Sequence, residues 1–372
     1  ATSLRGRRSR CSLDASGRCG ALRWKQGIFT ANPGSAACRS LRRAVPLDIF
    51  PTDIVASSLV QKSYSANMPG EFGGGLINIT TLAVPKEPFV KVGFSTSGDT
   101  ETTGQIGYSH FGSKWDPSGK DSGVRDVPPA LAAFFASGER MSAGRVDTGD
   151  IAKQFVNTRT GLVQLIDQMP ANFSGNITAG TSRPVGEGEL GLIGTAGYSN
   201  AWRTKSITEQ NPASLDLSRL DKDYRKVASE NRIVINGLAG LGYEYGDGHR
   251  LCWTNLIVRD TLKRTSLAEG KQNNQRPTFD FLEQETGWYE RQLWSSQLSA
   301  GFNLDPLKVD ARVALAKSTR EAPFELGMGY SKSNIAASPY GDYYINRLDN
   351  GQTGYGRIAF SDLEEDLFSY GL

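Results

Sequence analysis

The feature that most narrows what this chain can become is an alternation of apolar and polar side chains with a period of two. In its clearest form Leu307, Val309, Ala311, Val313 and Leu315 share one face of an extended segment, with Lys308, Asp310, Arg312, Ala314 and Ala316 on the other. Ile233, Ile235, Ala239, Leu241, Tyr243 and Tyr245 repeat the pattern opposite Arg232, Asn236, Gly240 and Glu244, interrupted by Val234 and Leu238. Weaker copies are Val90/Val92/Phe94, Ile106/Tyr108, Phe173/Ile177/Ala179, Leu190/Leu192/Ala196/Tyr198 and Trp294/Leu298/Ala300/Phe302. Successive side chains of a strand point to opposite faces, so each segment predicts a strand with one apolar face. A soluble sandwich and a membrane barrel both give this signal.

The connections separate the two better. Gly246-Asp247-Gly248 is a tight hairpin turn, and Arg183–Gly188 and Asp305-Pro306 are similarly short. Between them lie long polar stretches, about 203–229, 267–286 and 320–353, which read as loops. Short turns at one end and long loops at the other are the asymmetry of an outer-membrane barrel. Trp202, Tyr243, Tyr245, Trp253, Trp288 and Tyr289 fall near strand ends and are candidates for its interfacial girdles.

Composition removes other classes. No run approaches the ~20 apolar residues of a spanning helix. With two histidines in 372 residues, His110 and His249, a histidine-based metal or acid/base centre is not expected. Nucleophile elbows and phosphate loops are missing: Asp116-Pro117-Ser118-Gly119-Lys120 lacks the required spacing, and Gly237–Gly242 sits in an alternating strand. Glu364-Glu365-Asp366 reads as a solvated turn rather than a cation site. The chain is expected to be neither an enzyme nor a cofactor-binding protein.

The net charge of +3 hides a division. Ten of the 42 basic side chains and one of the 39 acids fall in residues 1–44, so that stretch carries +9 and the rest −6. Cys11, Cys19 and Cys38 lie there too, leaving Cys252 alone in the body. The stretch has no periodicity and reads as a basic, unstructured leader foreign to the fold, so its charge is not taken as a sign of a nucleic-acid partner.

From Val45 the texture changes. Val45-Pro46-Leu47-Asp48-Ile49-Phe50-Pro51, Val60-Gln61-Lys62-Ser63-Tyr64, Pro69-Gly70-Glu71-Phe72-Gly73-Gly74-Gly75 and Ile77-Asn78-Ile79-Thr80-Thr81 follow one another over about forty residues. This ordered run resembles the end of the plug domain of TonB-dependent outer-membrane receptors, with Phe89–Ser97 in the place of the first barrel strand. The resemblance implies a plug motif at Glu71, Phe72, Gly73, Gly74, Gly75, Ile77, Asn78 and Thr80, the glycines allowing close approach to the barrel wall. Glu71 is a candidate ion-pair partner for Arg232 or Arg312.

The implied architecture is all-β: the C-terminal part of a plug over 45–85, then over 86–372 a partial antiparallel transmembrane barrel of about 9–11 strands. Whole plugged transporters need about 22, so the chain is expected to be an internal fragment. The implied function is energised uptake of a scarce solute, such as a siderophore, cobalamin or oligosaccharide, across the outer membrane of a Gram-negative bacterium. Its partners would be the TonB complex and outer-membrane lipid, although no TonB-binding segment is found before Leu41. A passive porin, a barrel adhesin and a soluble β-rich binding protein are the alternatives. Counting Ile106/Tyr108 as a crossing puts the short turns outside, so a further crossing is expected within Gly112–Pro170. The other reading of that segment is a helical excursion through Pro128–Ser137 and Thr148–Ile166.

Overall fold

In a computed structural model, side chains are described for residues 84–139, 147–155, 161–213, 218–272, 280–332, 343–346 and 356–371, preceded by the backbone of four short strands. Those four are β1 (Leu22–Lys25), β2 (Ile28–Ala31), β3 (Val55–Gln61) and β4 (Leu76–Thr81), ordered β1-β2-β4-β3. All their pairings are antiparallel, with Asn78 opposite both Ile28 and Leu59. Two short strands therefore fall inside the stretch read as an unstructured leader, and one of them pairs with the strand of the plug-like motif.

The main body is all-β. After β5 (Phe89–Ser97) come β6 (Gly107–His110), α1 (Pro129–Ser137), α2 (Thr148–Phe155), β7 (Val163–Ile166), β8 (Asn172–Val185), β9 (Gly188–Pro212) and β10 (Leu220–Tyr245). Then follow β11 (His249–Gln272), β12 (Asp280–Leu304), β13 (Leu307–Ser333), β14 (Tyr343–Asn346) and β15 (Gly356–Gly371). Nine strands form one antiparallel sheet in the order β14-β13-β12-β11-β10-β9-β8-β5, with β15 also on β13. The sheet is an open partial barrel, with β5 at one edge and β14 and β15 at the other.

The direct pairing of β5 with β8, Phe89 opposite Gly180 through Ser97 opposite Asn172, corrects the expected topology. Among the described residues no further crossing joins the sheet within Gly112–Pro170. Gly107–His110 pairs with Val163–Ile166 in a separate two-stranded ribbon, so the whole of 98–171 is an excursion from one end of the sheet. Thr148–Ile166 is not one helix: α2 stops at Phe155 and the segment ends in β7. With that strand removed from the count, the turns Val185–Gly188, Tyr245–His249 and Leu304–Leu307 all lie at the end where β5 begins. Every longer connection lies at the other.

The polar stretches read as loops are a second correction. β9 to β13 run for 25, 26, 24, 25 and 27 residues, about 80–90 Å each at the usual rise. Backbone pairing continues through the polar sequence because the ladder needs only N–H and C=O groups. Side chains there form cross-strand ion pairs, Lys222 to Glu209 (2.9 Å) and Glu283 (3.1 Å), Lys226 to Glu285 (2.7 Å) and Lys205 to Glu230 (3.3 Å). Each contributes little alone; all project from the face opposite Ile235, Leu241 and Tyr243 of β10. Glu364-Glu365-Asp366 likewise lies within β15, not in a turn, and Glu364 pairs with Lys317.

Candidate functional site

The two faces of the sheet differ in kind. On one, Leu192, Leu241, Trp253, Leu298, Val313 and Tyr370 stand directly opposite one another across six consecutive strands. All are 40–54 % exposed. A second row runs Val92, Ile177, Ala196, Gly237, Ile257, Trp294. Six strands of exposed leucine, tryptophan and valine in register make a continuous apolar surface far larger than soluble proteins ordinarily leave uncovered. We call it the belt face. On β10 its outward residues run from Ile235 to Tyr243, about 27 Å along the strand, or about 21 Å of depth at the ~40° tilt of membrane barrels.

Charge begins where the belt ends. Beyond Ile257 the next outward residue on β11 is Arg259, beyond Leu315 on β13 is Lys317, and beyond Phe368 on β15 is Asp366. At the short-turn rim Tyr243 stacks on Tyr245 (5.4 Å between ring centres), Tyr245 meets His249 (5.0 Å), and His249 meets Phe302 (6.0 Å). At the opposite rim Phe173 stacks on Tyr198 at 5.6 Å. On the other face at the same height Ile193, Leu238 and Leu256 are buried beside Thr178 and Thr195, which share a hydrogen bond of 2.8 Å, and Ser295 and Ala314 are buried beyond them.

Above the belt, on the same face, the excursion is clamped to the sheet. Arg125 is 2 % exposed and donates to both carboxylate oxygens of Asp116 (3.1 and 2.9 Å) and to Asp121 (2.5 Å). Its guanidinium lies 4.2 Å from the ring centre of Trp288, which is fully buried. Lys263 of β11 reaches Asp116 at 3.1 Å. Glu290 of β12 pairs with Arg259 and accepts from Trp288 Nε1 (2.8 Å) and the Asp121 backbone N–H (2.5 Å). The Gly119 carbonyl accepts from Arg259 Nε and Thr261 Oγ1, both at 2.7 Å.

This cluster sets two protonation states. Burial pulls the Asp116 carboxyl upward, but the Arg125 hydrogen bond and charge, with Lys263, outweigh it and hold Asp116 below its ordinary value. His110, buried on β6 with Nδ1 2.8 Å from Thr265 Oγ1, is held well below the usual histidine value, first by burial and then by the charges of Lys263 and Arg125. The arrangement fixes a surface segment; it contains no nucleophile-base pair. Among the described residues no group of histidine, cysteine and acidic side chains is placed to hold a metal ion, and no helix is long and apolar enough to cross a membrane.

The plug-motif residues divide. Ile77, Asn78 and Thr80 lie on β4, the strand flanked by β2 and β3; Glu71, Phe72, Gly73, Gly74 and Gly75 lie outside the described residues. Arg232, a candidate partner for Glu71, is held by Asp260 at 2.8 Å, and Arg312 faces the polar side of β13. Of the aromatic candidates, Tyr243, Tyr245 and Trp253 lie on the belt face, whereas Trp288 is buried under the excursion and Tyr289 points to the polar face, donating to Glu325 (2.7 Å). The Arg125, Lys263 and Glu290 clamp was not singled out from sequence. Its one local trace is the spacing of Asp116, Asp121 and Arg125. No family model, curated protein or solved structure matches this chain.

Proposed function

We propose that this chain is the end of a plug and the first part of the barrel of a TonB-dependent outer-membrane receptor, taking up a scarce solute. The observation that carries the membrane half of this reading is the belt: an exposed apolar band of transbilayer height, in register across six strands and ending in charge. The shared end of the three short turns supports it, because that end is also where β5 begins, after the plug-like motif. The unpaired outer edges of β5 and β15 fit a sheet completed by further strands. The receptor half rests on the ordered run from Val45 to Thr81 and its place before β5.

On this reading β5, β8 to β13 and β15 cross the membrane within the belt, and β9 to β13 extend outward as a polar wall about 50 Å long, with the excursion fastened to its outer side. A wide lumen leaks unless it is plugged, and concentrative uptake needs coupled energy; hence plug and TonB belong together. The test is genetic. Deleting this gene or tonB in the source bacterium should abolish growth on the same limiting solute. Uptake that survives loss of tonB but not of this gene points to a passive porin and refutes the receptor reading.

A further inference from the structure

Two register shifts and one left-handed residue converge on the upper half of the polar face. β12 and β13 slip between Thr286 and Glu290, and β13 and β15 slip between Ala322 and Glu325. Phe324, inside the second slip, has a φ of 56° and is the sole non-glycine residue with positive φ among those described. Bulges that re-aim side chains, and left-handed non-glycine residues, gather at functional positions. Here they open a cavity of about 320 Å³ whose lining includes Arg264, Glu285, Tyr289, Glu325, Gly327 and Arg357. A Cβ on Gly327 would meet nothing within 4 Å, so the space stands in front of that residue.

The charges around the cavity are unequally engaged. Glu285 is held by Lys226 (2.7 Å) and Ser266 (3.1 Å), and Glu325 accepts from Tyr289. Arg264 Nε, in contrast, is buried without a hydrogen bond. Its nearest carboxylate oxygen, on Glu230, is 4.0 Å away, and Glu230 is itself taken by Lys205 at 3.3 Å. Arg357, opposite Gly327 on β15, makes no ion pair among the described residues. Both acids therefore have partners, while the Arg264 Nε–H has none and the Arg357 guanidinium borders the same space. A buried donor without a partner is costly, and a guanidinium fork matches the paired oxygens of a carboxylate or phosphate.

We propose that this cavity binds a small organic oxyanion, a carboxylate or a phosphate ester, between Arg264 and Arg357. The volume suits a solute of sugar-acid size, and the proposal rests on the receptor reading in that the polar face is taken to line the solute's path. The full chain, refolded with lipid vesicles, would be titrated calorimetrically with glucose 6-phosphate, galacturonate and glucose, and vesicle insertion would be measured on the same sample. A charged sugar should bind at least tenfold more tightly than glucose, and the tighter of the two identifies the group recognised. Arg264→Gln and Arg357→Gln should each weaken binding at least tenfold, and Gly327→Val, whose side chain enters empty space, should remove it with the strands intact. Equal affinity for glucose, no binding of either charged sugar, or both arginine variants within twofold of the parent overturns the proposal. Lost binding with intact insertion rejects this site alone; lost insertion with intact binding rejects the receptor reading alone.

Discussion

Removing Arg125 should release the excursion and leave the sheet unchanged. The side chain is 2 % exposed and neutralises Asp116 and Asp121, whose side chains are 14 % and 10 % exposed, while its plane covers Trp288. Arg125→Ala leaves Lys263 alone to balance two carboxylates. Breaking a buried pair on one side costs about 3–5 kcal/mol, because the remaining charge stays desolvated. At ~1.4 kcal/mol per decade, that is a loss of protection of roughly a hundredfold to a few thousandfold. The cost falls on contacts that join the excursion to β10, β11 and β12, not on the backbone ladder, which pairs continuously beneath them. Hydrogen exchange followed by mass spectrometry should show the loss in 107–126 and no change in 251–258. Protection of 107–126 within twofold of the parent, or equal loss in both segments, would refute the view that a buried charge cluster holds the excursion.

Acid should act on the same docking in two steps. His110 has a lowered value in the fold, so the unfolded chain takes up its proton first; the histidine's contribution is whole above about pH 6.5 and is lost as pH falls toward its folded value. Asp116 is also lowered, so its contribution holds above about pH 4 and is lost below. Protection of 107–126, taken relative to the intrinsic exchange rate at each pH, should therefore fall below about pH 6.5, and His110→Gln should flatten that first step. On the belt, Leu298→Arg should reduce vesicle insertion at a cost of about 2–4 kcal/mol, whereas Gln297→Arg on the opposite face should insert normally; sedimentation with vesicles distinguishes them. Gly270→Ala should destabilise the β10–β11 ladder by about 1–3 kcal/mol, since its Cβ would lie 2.0 Å from the Asp223 carbonyl oxygen. Urea unfolding that matches the parent would contradict that close approach.

What was legible in the sequence followed from local chemistry. The strands around Leu307–Leu315 and Ile233–Tyr245 were visible because one side of each is apolar, and Gly246-Asp247-Gly248 because its glycines take positive φ, 54° and 98°. The outer halves of β9 to β13 were hidden because polar side chains occupy both faces, erasing the period while the backbone ladder continues. Ile106/Tyr108 alternates as a strand should, yet pairs with β7, since alternation states a conformation and not a partner. The clamp was invisible for a related reason: Arg125 and Trp288 are about 160 residues apart, and their contact exists only once β12 stands beside β11. Trp288 was consequently read as an interfacial aromatic, when its ring serves as the floor for a buried guanidinium. The Arg264 and Arg357 cavity depends on two bulges that no single strand's pattern announces.

The central claim is that the belt faces lipid. Variants keeping a single tryptophan, at 253, 294 or 288, reconstituted with vesicles whose acyl chains carry bromine, test it directly, since bromine quenches only indoles that touch the hydrocarbon. Trp253 and Trp294, 49 % and 40 % exposed on the belt, should be strongly quenched, and Trp288, fully buried beneath the excursion, should not. A chain that stays monomeric and soluble without lipid or detergent, with Trp253 and Trp294 quenched by aqueous iodide and not by bromolipid, would contradict the account.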